Sequence, residues 1–281
     1  MATVDELKKI SSQVRRDIIR MVTSAKSGHP GGSMSSTDFL AALYFNVMNH
    51  DPKTWTRDGK GSDVFILSAG HVTPVYYSLL ARTGYFPVSE LATFRKFGTR
   101  LQGHPCVERG LPGVSQVSGS LGQGLSAAAG FALGKKMDKD ENLVYVMIGD
   151  GETEEGQIWE AAMFASHHKI DNLIAITDWN GQQIDGHVDN VAGLGDLKAK
   201  WEVFGWTVLE CDGHDFEAIL DTYAKAKECT GKEKPVMILM KTDMGKGVDF
   251  MAGTCEWHGK APSEELAQKA LAQLEETLGD Y

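Results

Sequence analysis

Apolar positions along the chain follow two different periods. Val4, Leu7, Ile10, Val14, Ile18 and Val22 recur at helical spacing and predict a helix over residues 4–24. Short apolar runs at 63–68, 143–148, 173–177 and 235–240 read instead as strands covered on both faces, the pattern of a parallel sheet, and 207–211 reads as a further strand. Helical stretches separate them: 37–48, 74–82, 125–137, one through Glu155, Ile158, Trp159, Ala162 and Met163, then 197–204 and 216–227. An amphipathic helix over 263–278 closes the chain. Less regular segments are a glycine-rich loop at 27–32, an excursion over the sheet edge containing a short helix near 90–97, and a loop at 241–262. Strands alternating with helices predict an α/β fold, a doubly wound and mostly parallel sheet. No repeat, low-complexity segment or interior linker interrupts it, so a single domain over 1–281 is expected.

The ends of the central strands carry the polar residues. Gly149-Asp150-Gly151 ends the run at 143–148, and Asp178-Trp179-Asn180-Gly181 ends the run at 173–177. Ligands of open α/β sheets sit at the carboxyl ends of the strands. Mg²⁺ takes about six oxygens, commonly from one or two carboxylates together with phosphate groups. Asp150, the Asn180 amide and the backbone carbonyl of Gln182 offer three, and a diphosphate and water would complete the shell. Gly151 leaves room for a phosphate against the backbone. A Gly-Asp-Gly triplet by itself more often only turns the chain; the strand-end Asn-Gly is what makes the pair specific.

Four histidines, His29, His71, His104 and His258, stand beside glycine in loops expected along that same edge. A lone loop histidine is ordinarily just solvated, but imidazoles grouped there suit phosphate, sugar hydroxyls and proton transfer near neutral pH. They lack the spacing of a zinc site. Ser118-Gly119-Ser120-Leu121-Gly122-Gln123-Gly124 precedes the helix at 125–137, and its glycines let amides face an anion. Close helix–sheet packing would call for the same glycines. Glu155 and Glu160 read equally as an exposed acidic face. His187 and His214 read as structural.

The net charge of −10 argues against nucleic acid or an anionic membrane as partner. The N-terminus shows no apolar secretory core. Cys106, Cys211, Cys229 and Cys255 are scattered, which suits free thiols in a reducing cytoplasm.

Asp150 followed about thirty residues later by Asn180, with Ser27-Gly28-His29-Pro30 and Trp257-His258-Gly259, resembles the transketolase family. The likeness spans nearly the whole chain but corresponds only to that family's N-terminal, thiamine-diphosphate-binding domain. It implies thiamine diphosphate held through Mg²⁺, with Ca²⁺ or Mn²⁺ able to substitute, and Asp150, Asn180 and Gln182 as metal ligands. It places His71, Gly119, Ser120, Leu121, Gly151, Asn180, Ile184 and His258 at the cofactor, Ile184 against its thiazolium. His29, His104 and His258 would face a ketose, and Glu155 and Glu160 would lie between two copies and link their cofactors. Trp159, Met163 and Phe164 would add apolar contact there. Gln182 replaces a more usual aliphatic residue, which a carbonyl ligand tolerates.

The activity implied is transfer of a two-carbon ketol unit from a ketose phosphate to an aldose phosphate, within carbohydrate metabolism of the pentose-phosphate type. Because the family's second domain is absent, the resemblance implies that a C-terminal, pyrimidine-binding subunit is supplied separately, giving a heterotetramer of two copies of each. The chain begins at Met1 and ends just past an expected helix, consistent with a separate subunit. Alternatives are a deoxyxylulose-phosphate synthase-like enzyme, a transketolase for unusual sugars such as sulfo-sugars, or a non-catalytic subunit that kept the fold.

Overall fold

The computed structural model describes residues 1–281. Helix α1 (Val4–Ala25) starts at a capping box between Thr3 and Glu6 and stops at Lys26 in the left-handed region. Next come α2 (Pro30–Ser35) and α3 (Thr37–Ala42), the latter running on through a π turn at Leu43–Val47. Strand β1 (Val64–Leu67) leads to α4 (Thr73–Arg82). After the excursion follow α5 (Gln123–Asp138), β2 (Val144–Gly149), α6 (Gly156–His167) and β3 (Leu173–Trp179). A two-residue-per-arm hairpin, β4 (Gln182–Gln183) and β5 (Gly186–His187), precedes α7 (Val188–Ala192) and α8 (Leu197–Val203). The chain then forms β6 (Thr207–Asp212), α9 (Phe216–Cys229), β7 (Val236–Lys241) and α10 (Glu264–Leu271).

Five strands form one parallel sheet in the order β1-β2-β3-β7-β6. Successive strand residues supply opposite faces, as the pleat requires. Phe65, Leu67, Tyr145, Met147, Ile174 and Ile176 pack with α1, α3, α4 and α9; Val64, Ile66, Val144, Val146 and Ala175 pack with α5, α6 and α8. Burial on both sides is why β1, β2, β3 and β7 read as apolar runs; β6, at the edge, is largely half-exposed. The β2–β3 register sets Gly149 beside Asp178, so Asp150 and Asn180 leave the sheet side by side.

Three local expectations are corrected. The glycine-rich loop at 27–32 is already helical from Pro30, whose fixed φ suits a helix start. Gly31 and Gly32 serve packing there: a Cβ would stand 2.8 Å from Met244 Cγ and 2.9 Å from Val72 Cγ1. The last helix stops at Leu271 instead of 278. Arg16 ends it, donating from Nη1 to the carbonyls of Leu271 at 2.9 Å and Leu274 at 2.7 Å. The excursion helix is a 3-10 segment, Val88–Thr93. No helix is long and apolar enough to cross a membrane, and all four cysteines are free.

Candidate active site at the carboxyl edge of the sheet

The strand ends open into a cavity of about 380 Å³. His29 enters from the segment before α2, His71 from the turn after β1, Asp150 and Gly151 from the end of β2, Asn180 from the end of β3, and His258 from the loop before α10. Three imidazoles pack on one another, His29–His71 at 5.1 Å, His29–His258 at 5.6 Å and His71–His258 at 5.0 Å between ring centres. The Nδ1 atoms of His29 and His258 are buried without a hydrogen-bond partner. A buried polar atom left unpaired is costly, so these two suit a ligand.

Burial holds these rings in the neutral form. His29 is pushed down to about 4 by burial first, with His258, Arg95 and His104 adding to it. His71 lies well below the ordinary value and His258 is also lowered, burial again being the main cause. Between pH 6.5 and 4 the unfolded chain therefore takes up a proton that folded His29 refuses, and stability drops as pH falls. Asp150 shifts the opposite way, so His29 is best isolated by difference. Relative to His29→Asn, the wild-type chain should lose roughly 1–2 kcal/mol between pH 7 and 4.5, discounted for partial solvation. Denaturant midpoints measure this; a pH-independent gap would mean that His29 protonates freely in the fold.

Across the cavity, Asp150 is 2 % exposed. Its Oδ1 accepts from Gly151 N–H at 2.8 Å and its Oδ2 from Gly181 N–H at 2.5 Å. Burial and the neighbouring Asp178 carboxylate push it up to about 8. The pair is thus short of positive charge, which a divalent cation would supply. Asn180 Nδ2 donates to Asp178 Oδ2 at 2.9 Å, while Asn180 Oδ1 accepts from Gln182 N–H at 2.9 Å and keeps a lone pair. Asp150, Asn180 and Gln182 all line the cavity, so oxygen donors from three residues lie together there. Gly151 has a further reason to be glycine, since a Cβ would meet Gln183 Cβ at 2.9 Å.

Gly119, Leu121, Glu155, Gln182 and Ile184 also line the cavity. Ile184 tips the β4–β5 hairpin, 63 % exposed. His104 stands just behind the lining: a Cβ on Gly119 would lie 3.2 Å from its ring. Ser120 and Glu160 are exposed and outside the lining. The expected free amides at the start of α5 are partly used up, because Gly122 N–H donates to Glu152. Trp159 is half-buried, whereas Met163 and Phe164 are exposed. It packs 5.0 Å from both Trp201 and Phe204 and donates to the Thr153 carbonyl at 3.0 Å. His214 is structural as expected, bound to Asp38 at 2.8 Å. His187 caps α7, accepting from Asp189 N–H at 3.2 Å.

Two site residues escaped the sequence reading. Asp178 is fully buried and accepts from Ser35 Oγ at 2.6 Å, from Thr242 Oγ1 at 2.5 Å and from Asn180. An acid ending an apolar strand two residues before Asn180 was the available signal. Glu152 is 3 % exposed, and only long-range contacts reveal it.

A parallel α/β sheet with buried histidines and a buried carboxylate around one cavity at its carboxyl edge defines a ligand-binding domain of the open α/β class. Residues 7–279 match the transketolase, thiamine diphosphate binding domain, and the chain belongs to the transketolase family. It is 43% identical over 275 residues to a 6-deoxy-6-sulfo-D-fructose transketolase subunit of a Clostridium species, covering 95% of this chain and 98% of that one. An apulose-4-phosphate transketolase subunit of Phocaeicola vulgatus is 38% identical over 277 residues, covering 98% of this chain and 96% of that one. The mouse transketolase is 35% identical over 95% of this chain, which spans only 42% of it. The solved transketolase of Leishmania mexicana superposes with a TM-score of 0.89 at 30% identity, covering 100% of this chain and 43% of that one.

Proposed function

We propose that the chain is the diphosphate-binding subunit of a transketolase, one fold unit over 1–281 that works with a separate pyrimidine-binding subunit in a tetramer of two copies of each. The observation that carries this is the convergence on one cavity of three mutually packed imidazoles, two of them with unpartnered buried Nδ1 atoms, and the buried Asp150 carboxylate. Bound thiamine diphosphate would supply the nucleophilic carbon that takes up a two-carbon ketol unit from a ketose phosphate. Asp150, Asn180 and the Gln182 carbonyl would hold Mg²⁺, or Ca²⁺ or Mn²⁺ in its place. His71 and His258 would donate to the diphosphate, Gly119, Ser120 and Leu121 would border it, and Ile184 would support the thiazolium. His29, His104 and His258, held neutral, would orient the ketose hydroxyls and move protons at its reacting end. Glu155, Glu160, Met163 and Phe164 would meet the second copy; Met163 is 56% exposed and Phe164 42%.

Titration of the chain with thiamine diphosphate in the presence of its partner, with and without Mg²⁺, tests the reading. Cation-dependent binding is expected, and its absence would refute it. A substrate bearing a sulfonate or an unusual skeleton is a second reading, supported by the specialised names of the relatives of similar length. A panel of ketose phosphates and sulfo-ketoses separates the two. His29→Ala and His104→Ala should each lower turnover by about 10²–10⁴-fold with cofactor affinity nearly unchanged. Cofactor loss with normal turnover at saturation would reverse these roles.

A further inference from the structure

Glu152 borders the cavity but belongs to none of the groups assigned above. It sits in the 3-10 turn Gly151–Glu154, and its side chain folds back beneath the strand ends. Its Oε1 accepts from Ser68 Oγ at 2.5 Å and from Gly122 N–H at 2.9 Å; its Oε2 accepts from Gly149 N–H at 3.1 Å. One carboxylate thereby joins three segments far apart in sequence. Ser68 directly follows β1, shortly before His71; Gly122 follows Gly119–Leu121 as the cap of α5, and Gly149 directly precedes Asp150. These segments carry much of the proposed diphosphate cradle.

The start of α5 packs directly on one of these donors: a Cβ on Gly124 would stand 2.3 Å from Ser68 Oγ. Gly122 itself has φ 82, a left-handed conformation suited to glycine. The residue that caps α5 thus gives its N–H to the Glu152 side chain. Three donors converge on two oxygens, a demand that a carboxylate meets and an amide does not.

We propose that Glu152 is a positioning residue for cofactor binding, locking the three strand-end segments in place before the ligand arrives. Ordering completed during folding does not weaken binding later. The inference rests on reading the cavity as the thiamine diphosphate site, and its test keeps the two apart. In Glu152→Gln, the side-chain NH₂ must face one of the three donors. In the cofactor-free full chain, amide hydrogen exchange should then speed up by at least about tenfold in the segments around Ser68, Gly122 and Gly149 together, with β6 and β7 unchanged. With the partner and Mg²⁺ present, the thiamine diphosphate Kd should rise roughly 10–100-fold while kcat at saturating cofactor stays within about threefold.

Ser68→Ala removes one donor of three and should shift both readouts the same way by less; it carries the test if Glu152→Gln does not fold. Unchanged exchange in the three segments, or unchanged Kd in a variant of a wild type that binds, would overturn the proposal. So would a fall in kcat with Kd intact. A wild type that binds no thiamine diphosphate would remove the site reading and with it the cofactor role, leaving the exchange data to judge the lock alone.

Discussion

Asp150→Ala is expected to abolish cation-dependent cofactor binding, weakening it by more than about 100-fold. Asp150 is the only anionic side chain in the Asp150, Asn180 and Gln182 set, so the substitution leaves neutral ligands to hold a divalent cation between protein and diphosphate. It also removes the acceptor for the Gly151 and Gly181 amides, which fixes the two strand-end turns to each other. Asp150→Asn keeps the shape and tests the charge alone. Asn180→Ala should weaken binding less, because a water can replace a neutral oxygen more readily than a carboxylate. Calorimetric titration in the presence of the partner subunit measures all three. Unchanged affinity in Asp150→Ala would rule out the metal assignment.

The purified chain by itself should show ketol-transfer activity at least about 10³-fold below that of the complex, a loss at the scale of a missing acid–base group. In the transketolase resemblance, the glutamate that ionises the cofactor's aminopyrimidine lies in the second domain. Relatives of nearly the same length are named as subunits, whereas the mouse transketolase is more than twice as long. Mixing the chain with its partner, cofactor and Mg²⁺ should restore turnover. Robust activity without the partner would show that the ionising base lies in this chain, and no gain on adding the partner would remove the two-subunit reading.

Much of this was legible in the sequence for a local reason. A strand buried on both faces must be apolar, so β1, β2, β3 and β7 appeared as apolar runs, with β2 and β3 leading into residues that line the cavity; β6, at the sheet edge and half-exposed, carries Glu210 and was the weaker signal. Helix α1 declared itself by its period, and the strand-end positions of Asp150, Asn180 and His71 followed from the order of the elements. His29 and His258 were legible only through their glycine neighbours and the family resemblance.

Tertiary structure decided what depends on groups far apart in sequence. Nothing near Pro30 states that Met244 and Val72 leave no room beside Gly31 and Gly32, and nothing near Leu271 states that Arg16 will take the last carbonyls of α10. Trp159 follows the helical period, but only the position of α8 turns it inward against Trp201 and Phe204. Glu152 reads as one acid among Glu154 and Glu155 until Ser68, Gly122 and Gly149 converge on it. Local pattern records which side of an element is apolar, because burial acts on every residue of that side. The partner of a buried polar group is set by how the elements pack, and no periodicity along the chain encodes that packing.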